Sequence, residues 1–201
     1  IIAACSAVLC TYFSTMTAYA IHVYDFKLKK FMFTFILAIM TIPTQVTALG
    51  FIQLVADMKL EDNFIPLIIP AIAAPATFFY MKQYMESALP LSLVEAARID
   101  GSGEFRTFNS IVLPLMKPAI ATVCIINFIT CLNNFFTPLF YSNGIQVLSV
   151  SIVQLPLRDN MYGVPWDLVS AMGWIILLPI IIFVAVFEKQ IMDGIMAGGV
   201  K

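Results

Sequence analysis

The side chains of this 201-residue chain that could do chemistry fall into two groups. One is a charge-dense segment at 89–106, in which Glu95, Arg98 and Asp100 follow one another closely. The other is a series of amide and hydroxyl side chains at 127–137, inside a long apolar stretch. Both groups can form hydrogen bonds, and the first can also form ion pairs, so they predict binding of partners or polar solutes.

Metal, nucleotide and nucleic-acid sites are not indicated by the sequence. His22 has no cysteine or carboxylate cluster beside it. No lysine is followed by serine or threonine, which excludes a phosphate-binding GxxxxGKS/T loop. The net charge is −1 and there is no basic patch, so we expect no nucleic-acid partner and no cofactor bound by this chain. The cysteines lie in apolar runs without a CxxC pair: Cys5, Cys10, Cys124 and Cys131.

The composition is that of an integral membrane protein. Hydrophobic residues make up 61% of the chain and charged residues 11%, against about a quarter in soluble domains. The mean hydropathy is +0.93. The apolar runs are too long and continuous for barrel strands, so we predict an all-α integral membrane fold.

Five transmembrane helices are predicted from the apolar runs, at 1–21, 31–56, 64–81, 114–140 and 168–187. Pro43 lies inside the second run and predicts a kink there. The chain starts inside an apolar run without a methionine, so we expect an N-terminally truncated domain over 1–201 and six spans in the full protein.

The positive charges predict the orientation. The segments at 22–30, 82–118 and 188–201 carry nine lysines and arginines, whereas Lys59 and Arg158 are the two on the other side. Because cytoplasmic loops are enriched in these residues, the segment at 82–113 and the C-terminus are expected in the cytoplasm.

Two short helices with a hinge are predicted within this cytoplasmic segment. Ser92-x-x-Glu95 reads as a capping box, and Gly101 can end the first helix in the left-handed conformation. Ser102 can cap a second helix at about 103–112, which should stop before Pro114. A helix this short must pack on its own membrane domain or dock on a partner, and the residues leave both open.

The polar series in the fourth span predicts a stripe on one helix face. Asn127, Thr130, Asn134 and Thr137 recur at spacings of three and four, with Asn133 beside them. Gln45 lies near the Pro43 kink of the second span. Such residues either form hydrogen bonds between helices or line a polar path, and both interpretations stay open.

A family resemblance enters at Glu95-Ala96-Ala97 with Gly101 and Ile111-Val112-Leu113-Pro114. This pattern resembles the EAA signature of the permease subunits of binding-protein-dependent ABC importers. The wording from Pro90 to Gly101 is similar to the carbohydrate-uptake, MalG-like branch. The chain departs from the branch at Leu132-Asn133-Asn134, where relatives commonly have Trp-Asn-Asp, so roles there are not carried over.

The resemblance implies a permease for a sugar or oligosaccharide in a bacterial or archaeal cytoplasmic (inner) membrane. Its partners would be membrane lipid, a cytoplasmic ATPase dimer that binds ATP and Mg, a second and related permease subunit, and an external solute-binding protein. The segment 82–113 would be the coupling loop. The ATPase-docking residues implied are Glu95, Ala96, Ala97, Arg98, Asp100, Gly101 and Phe105; the candidates for the substrate path are Gln45, Asn127, Thr130, Asn133 and Asn134.

Three alternatives remain at this point. An ABC importer for another small polar solute would share the same sequence features. An ion-coupled secondary carrier usually needs an ionisable residue inside a span, and the span interiors have none. A non-transporting membrane scaffold could use the cytoplasmic segment to bind some other protein.

Overall fold

The computed structural model describes residues 1–141, 144–145, 147–157 and 164–199, without the side chains at 44, 45, 141, 190, 191 and 193–199. Within these ranges the chain forms helices and connections and no β-strand, which confirms the all-α fold. The α-helices are α1 (Ile2–Val23), α2 (Lys29–Ile39), α3 (Thr44–Asp57), α4 (Ile65–Ile68), α5 (Pro75–Ala88), α6 (Leu91–Ile99), α7 (Glu104–Thr107), α8 (Leu113–Leu115), α9 (Lys117–Asn133), α10 (Phe136–Tyr141), α11 (Leu148–Gln154) and α12 (Trp166–Gly199). Short 3₁₀ turns lie at Ile69–Ile72 and Leu155–Leu157, and a π turn lies at Phe108–Val112.

Four of the described segments are long and apolar enough to cross a membrane. They are Ile2–Val23, Ile65–Ala88, Lys117–Phe140 and Trp166–Lys189. Each contains or overlaps one of the predicted spans, and α12 continues well past the predicted end of the last one.

The predicted second span is not one kinked helix, so that prediction was wrong. It forms α2 and α3, with a turn between them over 40–43. Pro43 cannot donate a backbone hydrogen bond, and it disfavours helical geometry at the preceding residue, Ile42. The backbone therefore leaves the helix before Pro43, which then stands at the start of α3 with an extended ψ of 128°.

Two of the four crossing segments are also interrupted. Ile65–Ala88 changes from a 3₁₀ turn to α5 at Ala73 and Ala74, and Pro75 is the first residue of α5. Proline has no backbone N–H, so the break falls where Pro75 leaves no donor unsatisfied. Lys117–Phe140 is interrupted after Asn133, where Asn134 has an extended ψ of 105°. The predicted polar stripe is therefore not on one continuous helix.

The helix α1 is the centre of the bundle. It packs against α5 on one side and α9 on another, while α12 packs against α9. The largest buried side chains lie toward the end of the bundle that carries α6, and they include Met81, Met85, Leu89 and Met116. The short helix α6 therefore rests on the best-packed part of the domain.

The connections group at two ends of the bundle. At one end, His22 Nε2 lies 3.1 Å from the Leu89 carbonyl oxygen, so the loop after α1 is beside the start of α6. At the other end, the Gly144 backbone N–H donates to Asp62 Oδ1 at 2.6 Å, which joins the loop after α3 to the loop after α10.

Replacing Met81 by alanine should destabilise the domain by about 2–5 kcal/mol, because its side chain is fully buried and the substitution leaves a cavity. Met58→Ala is the matched control, since that side chain is 59% exposed and its loss should cost about 0.5 kcal/mol or less. Thermal unfolding in detergent measures both. Equal unfolding temperatures for the two variants would show that Met81 is not in the core.

Candidate functional site

The helix α6 begins two residues earlier than the capping box predicted, at Leu91. Pro90 occupies the N-cap position with φ −65° and ψ 133°, and no side chain caps the helix. Its carbonyl oxygen accepts from the Leu93 N–H at 3.1 Å. The predicted capping box was therefore wrong: Ser92 lies inside the first turn, because the proline ring already sets the dihedral angle from which the helix starts.

The end of α6 confirms the prediction for Gly101, which has a φ of 77°. The Ser102 N–H donates to the Ala97 carbonyl at 2.9 Å, and the Gly101 N–H donates to the Arg98 carbonyl at 3.0 Å. This pair of bonds is a Schellman motif, and it needs a left-handed residue at the position of Gly101. The length of α6 is thus fixed at both ends by backbone geometry.

The second predicted helix differs from the expectation at both of its ends. Gly103, not Ser102, precedes α7, while the Ser102 hydroxyl oxygen accepts from the Thr107 hydroxyl at 2.9 Å. The helix also passes Pro114 through the π turn and α8, and it ends at Leu115. Proline is tolerated there because the π turn has already displaced the backbone bonds that the ring would block.

Two faces of α6 have opposite surroundings. Val94 and Ala97 are 1% and 5% exposed, because they pack on the domain beneath them. Ala97 therefore belongs to the inward face and not to the surface predicted to dock. The other predicted docking residues are exposed: Glu95, Ala96, Arg98, Asp100, Gly101 and Phe105.

The outward surface of α6 and its flank combines charge with apolar area. Ile99 is 86% exposed and Phe105 is 70% exposed. Glu95 lies on this surface and forms no hydrogen bond or ion pair with any residue that the structure describes. Exposed apolar side chains rimmed by polar groups mark a surface that can bind another protein.

Glu104 connects this surface to α1. One carboxylate oxygen accepts from the Arg98 guanidinium at 2.7 Å, and the other accepts from the Tyr24 hydroxyl at 2.6 Å and the Tyr19 hydroxyl at 3.2 Å. The Arg98 guanidinium also lies 5.5 Å from the centre of the Tyr24 ring. Three segments of the chain, at α1, α6 and α7, therefore meet at a single carboxylate.

The electrostatics keep this contact ionised. The Arg98 guanidinium, and after it the Tyr24 hydroxyl, lower the pKa of the Glu104 carboxyl below its ordinary value. Burial and then the bond to Glu104 raise the pKa of the Tyr24 hydroxyl, so it stays a donor. Because the carboxyl pKa is lowered on folding, the contact contributes its full stability above the ordinary pKa of a glutamate, and this contribution is lost as the pH falls through the lowered pKa.

The role of Glu104 was not predicted from the sequence. Arg98 and Glu104 carry opposite charges on the two sides of the Gly101 hinge, and this spacing could have predicted their ion pair. The tyrosines lie 80 and 85 residues away in sequence and gave no such indication.

The residues predicted to line the substrate path differ in burial and in hydrogen-bond partners. Asn127 is partly buried between helices, and its Oδ1 accepts from the Thr77 hydroxyl of α5 at 3.2 Å. The exposed Thr130 donates to the carbonyl of Ile126 in its own helix at 2.7 Å. Asn133 is exposed, and Asn134 exchanges bonds of 3.3 and 3.2 Å with Thr137, so it caps α10. The side chain of Gln45 lies outside the described residues.

Comparison with known proteins gives the family. Residues 11–193 match the model of the family described as the binding-protein-dependent transport system inner membrane component. The chain belongs to this family. The resemblance drawn from Glu95-Ala96-Ala97 is confirmed, and the protein is a multi-pass permease component of a transport system rather than an enzyme. In these systems a separate subunit hydrolyses ATP.

Three relatives show how much of this chain is shared with known permeases. The chain is 37% identical over 196 residues to the arabinooligosaccharides transport system permease protein AraQ of Halalkalibacterium halodurans, and the match covers 96% of this chain and 69% of that protein. It is 31% identical over 205 residues to the melibiose/raffinose/stachyose import permease protein MelC of Bacillus subtilis, covering 100% and 73%. It is 31% identical over 185 residues to the sn-glycerol-3-phosphate transport system permease protein UgpE of Yersinia pestis, covering 90% and 65%.

Replacing Glu104 by glutamine should loosen α6 from α1, because the amide keeps the size of the side chain but loses the charge that binds Arg98. We expect several-fold faster amide hydrogen exchange over residues 91–101. Glu86→Gln is the control, since it removes the separate ion pair with Lys82 on α5. Unchanged exchange in the Glu104 variant would contradict the link.

Proposed function

We propose that this permease subunit imports a sugar or oligosaccharide, with α6 as the coupling helix that docks on a cytoplasmic ATPase. The outward surface of α6 carries the proposal, because it is exposed on a helix whose other face is firmly packed. Two of the relatives named above are permeases for arabinooligosaccharides and for melibiose, raffinose and stachyose. Together they favour a carbohydrate over other solutes.

The chemistry of the outward surface suits a cleft in a partner. Ile99 and Phe105 offer apolar area, and Glu95 and Asp100 offer negative charge. Ala96 has a small side chain, so a partner can approach the helix backbone closely at this position. Arg98 is already bound to Glu104, so its role would be to orient α6 rather than to contact the ATPase directly.

Movement of α6 would reach the spans through α1. In the proposed cycle, ATP and Mg bind to the ATPase dimer and not to this chain, and closure of that dimer displaces the coupling helix. The contacts of Glu104 with Tyr19 and Tyr24 would pull on the end of α1, which is packed between α5 and α9. Alternating access requires that the inward- and outward-facing states bind ATP and the loaded binding protein with different affinities.

The solute would pass along polar groups that this chain leaves uncovered. Thr130, Asn133 and Asn134 are exposed side chains within a segment long and apolar enough to span a membrane. Polar residues in a span usually face protein or water, so these should face a second permease subunit and the path between the two. Asn127 is bonded to Thr77 and would instead hold α5 and α9 together.

The remaining assembly follows from the same arrangement. The span Trp166–Lys189 has none of its most apolar window buried within this chain, so membrane lipid or the related second permease would cover it. An external solute-binding protein would deliver the solute at the end that carries Asp62 and Gly144. The coupling loop at 82–113 and the C-terminus would be cytoplasmic, in the inner membrane of a bacterium or archaeon.

A different polar solute is the second candidate, since UgpE is a permease for sn-glycerol-3-phosphate. In the assembled complex, ATPase stimulation by a binding protein loaded with arabino-oligosaccharide, raffinose or glycerol 3-phosphate would distinguish these solutes.

Glu95→Lys should lower uptake by about tenfold or more in the complete transporter, because like charges across an interface cost several kcal/mol. Binding of the ATPase to the permease, measured by co-purification, should fall with it, while the amount of permease in the membrane stays unchanged. Glu61→Lys is the control, because Glu61 is exposed in the loop at the opposite end. A Glu95→Lys complex that still assembles and couples ATP hydrolysis to uptake would refute the docking surface.

The double variant Thr130→Val and Asn133→Leu should raise the KM for uptake several-fold without weakening ATPase binding, because both substitutions remove polar groups from the proposed path. Thr17→Val is the control, since Thr17 makes the same bond to its own helix, at 2.9 Å, in another span. An unchanged KM in the double variant would exclude these residues from the path.

A further inference from the structure

A cavity of about 440 Å³ lies between the end of α1, the start of α2 and the later turns of α5. Its volume is in the range of small-molecule sites in proteins. Four of the described residues that line it are lysines: Lys27, Lys29, Lys30 and Lys82. Asp25 is the one acidic residue among those lining residues, so the cavity carries an excess of positive charge.

The positive charge is mostly uncompensated. Lys82 is paired with Glu86, and its ammonium group lies 4.7 Å from the centre of the Phe33 ring. Lys27, Lys29 and Lys30 form no ion pair with any described residue. Lys29 and Lys30 also occupy the first turn of α2, which has no acidic residue. Cations at the positive end of a helix dipole are unfavourable. An anion bound there would therefore offset both the repulsion among the lysines and their repulsion by the helix dipole.

The rest of the lining is apolar. Ile21, Phe26 and Phe33 complete the cavity. The helix α2 extends away from the cavity and has an exposed apolar surface. On this surface the rings of Phe31 and Phe35 stack with their centres 5.9 Å apart, and the two residues are 65% and 55% exposed. A free phosphate would use the lysines but not this surface, whereas a molecule with a charged head and long chains would use both.

The geometry points to a binding site for an anionic phospholipid, with its phosphate head group among the lysines and its acyl chains along α2. The cavity lies at the same end of the bundle as α6, since the residues that follow Lys82 on α5 lead to Leu89 beside His22. That end is the one expected on the cytoplasmic side, where basic pockets between membrane helices bind anionic head groups. The site does not depend on whether α6 docks on an ATPase.

Native mass spectrometry of the purified, complete transporter tests the site. The probes are dioleoyl phosphatidylglycerol and dioleoyl phosphatidylcholine, which have the same acyl chains and differ in net charge. The transporter should retain phosphatidylglycerol preferentially. In the variant Lys29→Gln with Lys30→Gln its affinity should fall by about thirtyfold, or about fivefold for each lysine near an anionic surface.

The control variant is Lys117→Gln with Lys189→Gln, which removes two exposed lysines of the same predicted side from outside the cavity. An equal loss of phosphatidylglycerol in both variants would show that any exposed lysine attracts the anionic lipid equally, and it would overturn the site. Displacement of the lipid by millimolar inorganic phosphate would show that a free phosphate is the ligand and would overturn the lipid site. Loss of the ATPase from the Lys29 and Lys30 variant, with lipid retained, would make the cavity a protein contact instead. The pair Lys27→Gln with Lys30→Gln repeats the test if the first variant does not assemble.

Discussion

A backbone amide inside a membrane has only the chain itself to bond with, and this constraint governs where the permease can bend. Each interruption of its apolar segments lies at a residue that either has no backbone N–H or provides a side-chain partner for a neighbouring N–H. Pro43 and Pro75 have no N–H to satisfy, and they open α3 and α5. Asn134 supplies its own side chain to the first turn of α10. The broken helices are therefore positions where a bend leaves few unsatisfied groups, and they are natural places for movement between the two states of a transporter.

The short helix α6 is firmly held by the domain on one face and leaves its other face exposed to a partner. Val94 and Ala97 fix one face by packing, and the Schellman motif at Gly101 fixes its length. Glu104 then bonds it to α1 through the side chains of Tyr19 and Tyr24, at the C-terminal end of that helix. Packing alone would allow α6 to slide, whereas a charged contact with three donors restrains its direction as well.

Local patterns in the sequence predicted local structure well. The helical class, most of the spans, the grouping of the loops and the left-handed Gly101 all follow from composition and from rules that act over a few residues. The errors came from competition between such rules, as when Pro90 displaced Ser92 from the start of α6, or when Pro43 broke a helix that it was expected only to bend. The link through Glu104 could not be predicted, because Tyr19 and Tyr24 reach it only through the packing of α1. Likewise, the inward position of Ala97 depends on which way α6 is rotated on the domain.

The π turn at Phe108–Val112 has a consequence for how this chain can change over evolutionary time. A π turn holds one residue more than the α-helix around it, and one residue of α-helix corresponds to a rotation of about 100° and a rise of 1.5 Å. The turn thus sets the angular phase between α7 and α8, the two helices that flank it directly. Substitutions in this stretch leave that phase intact, whereas deleting or inserting a single residue would rotate α7 relative to α8. The segment should consequently accept changes of residue far more readily than changes of length.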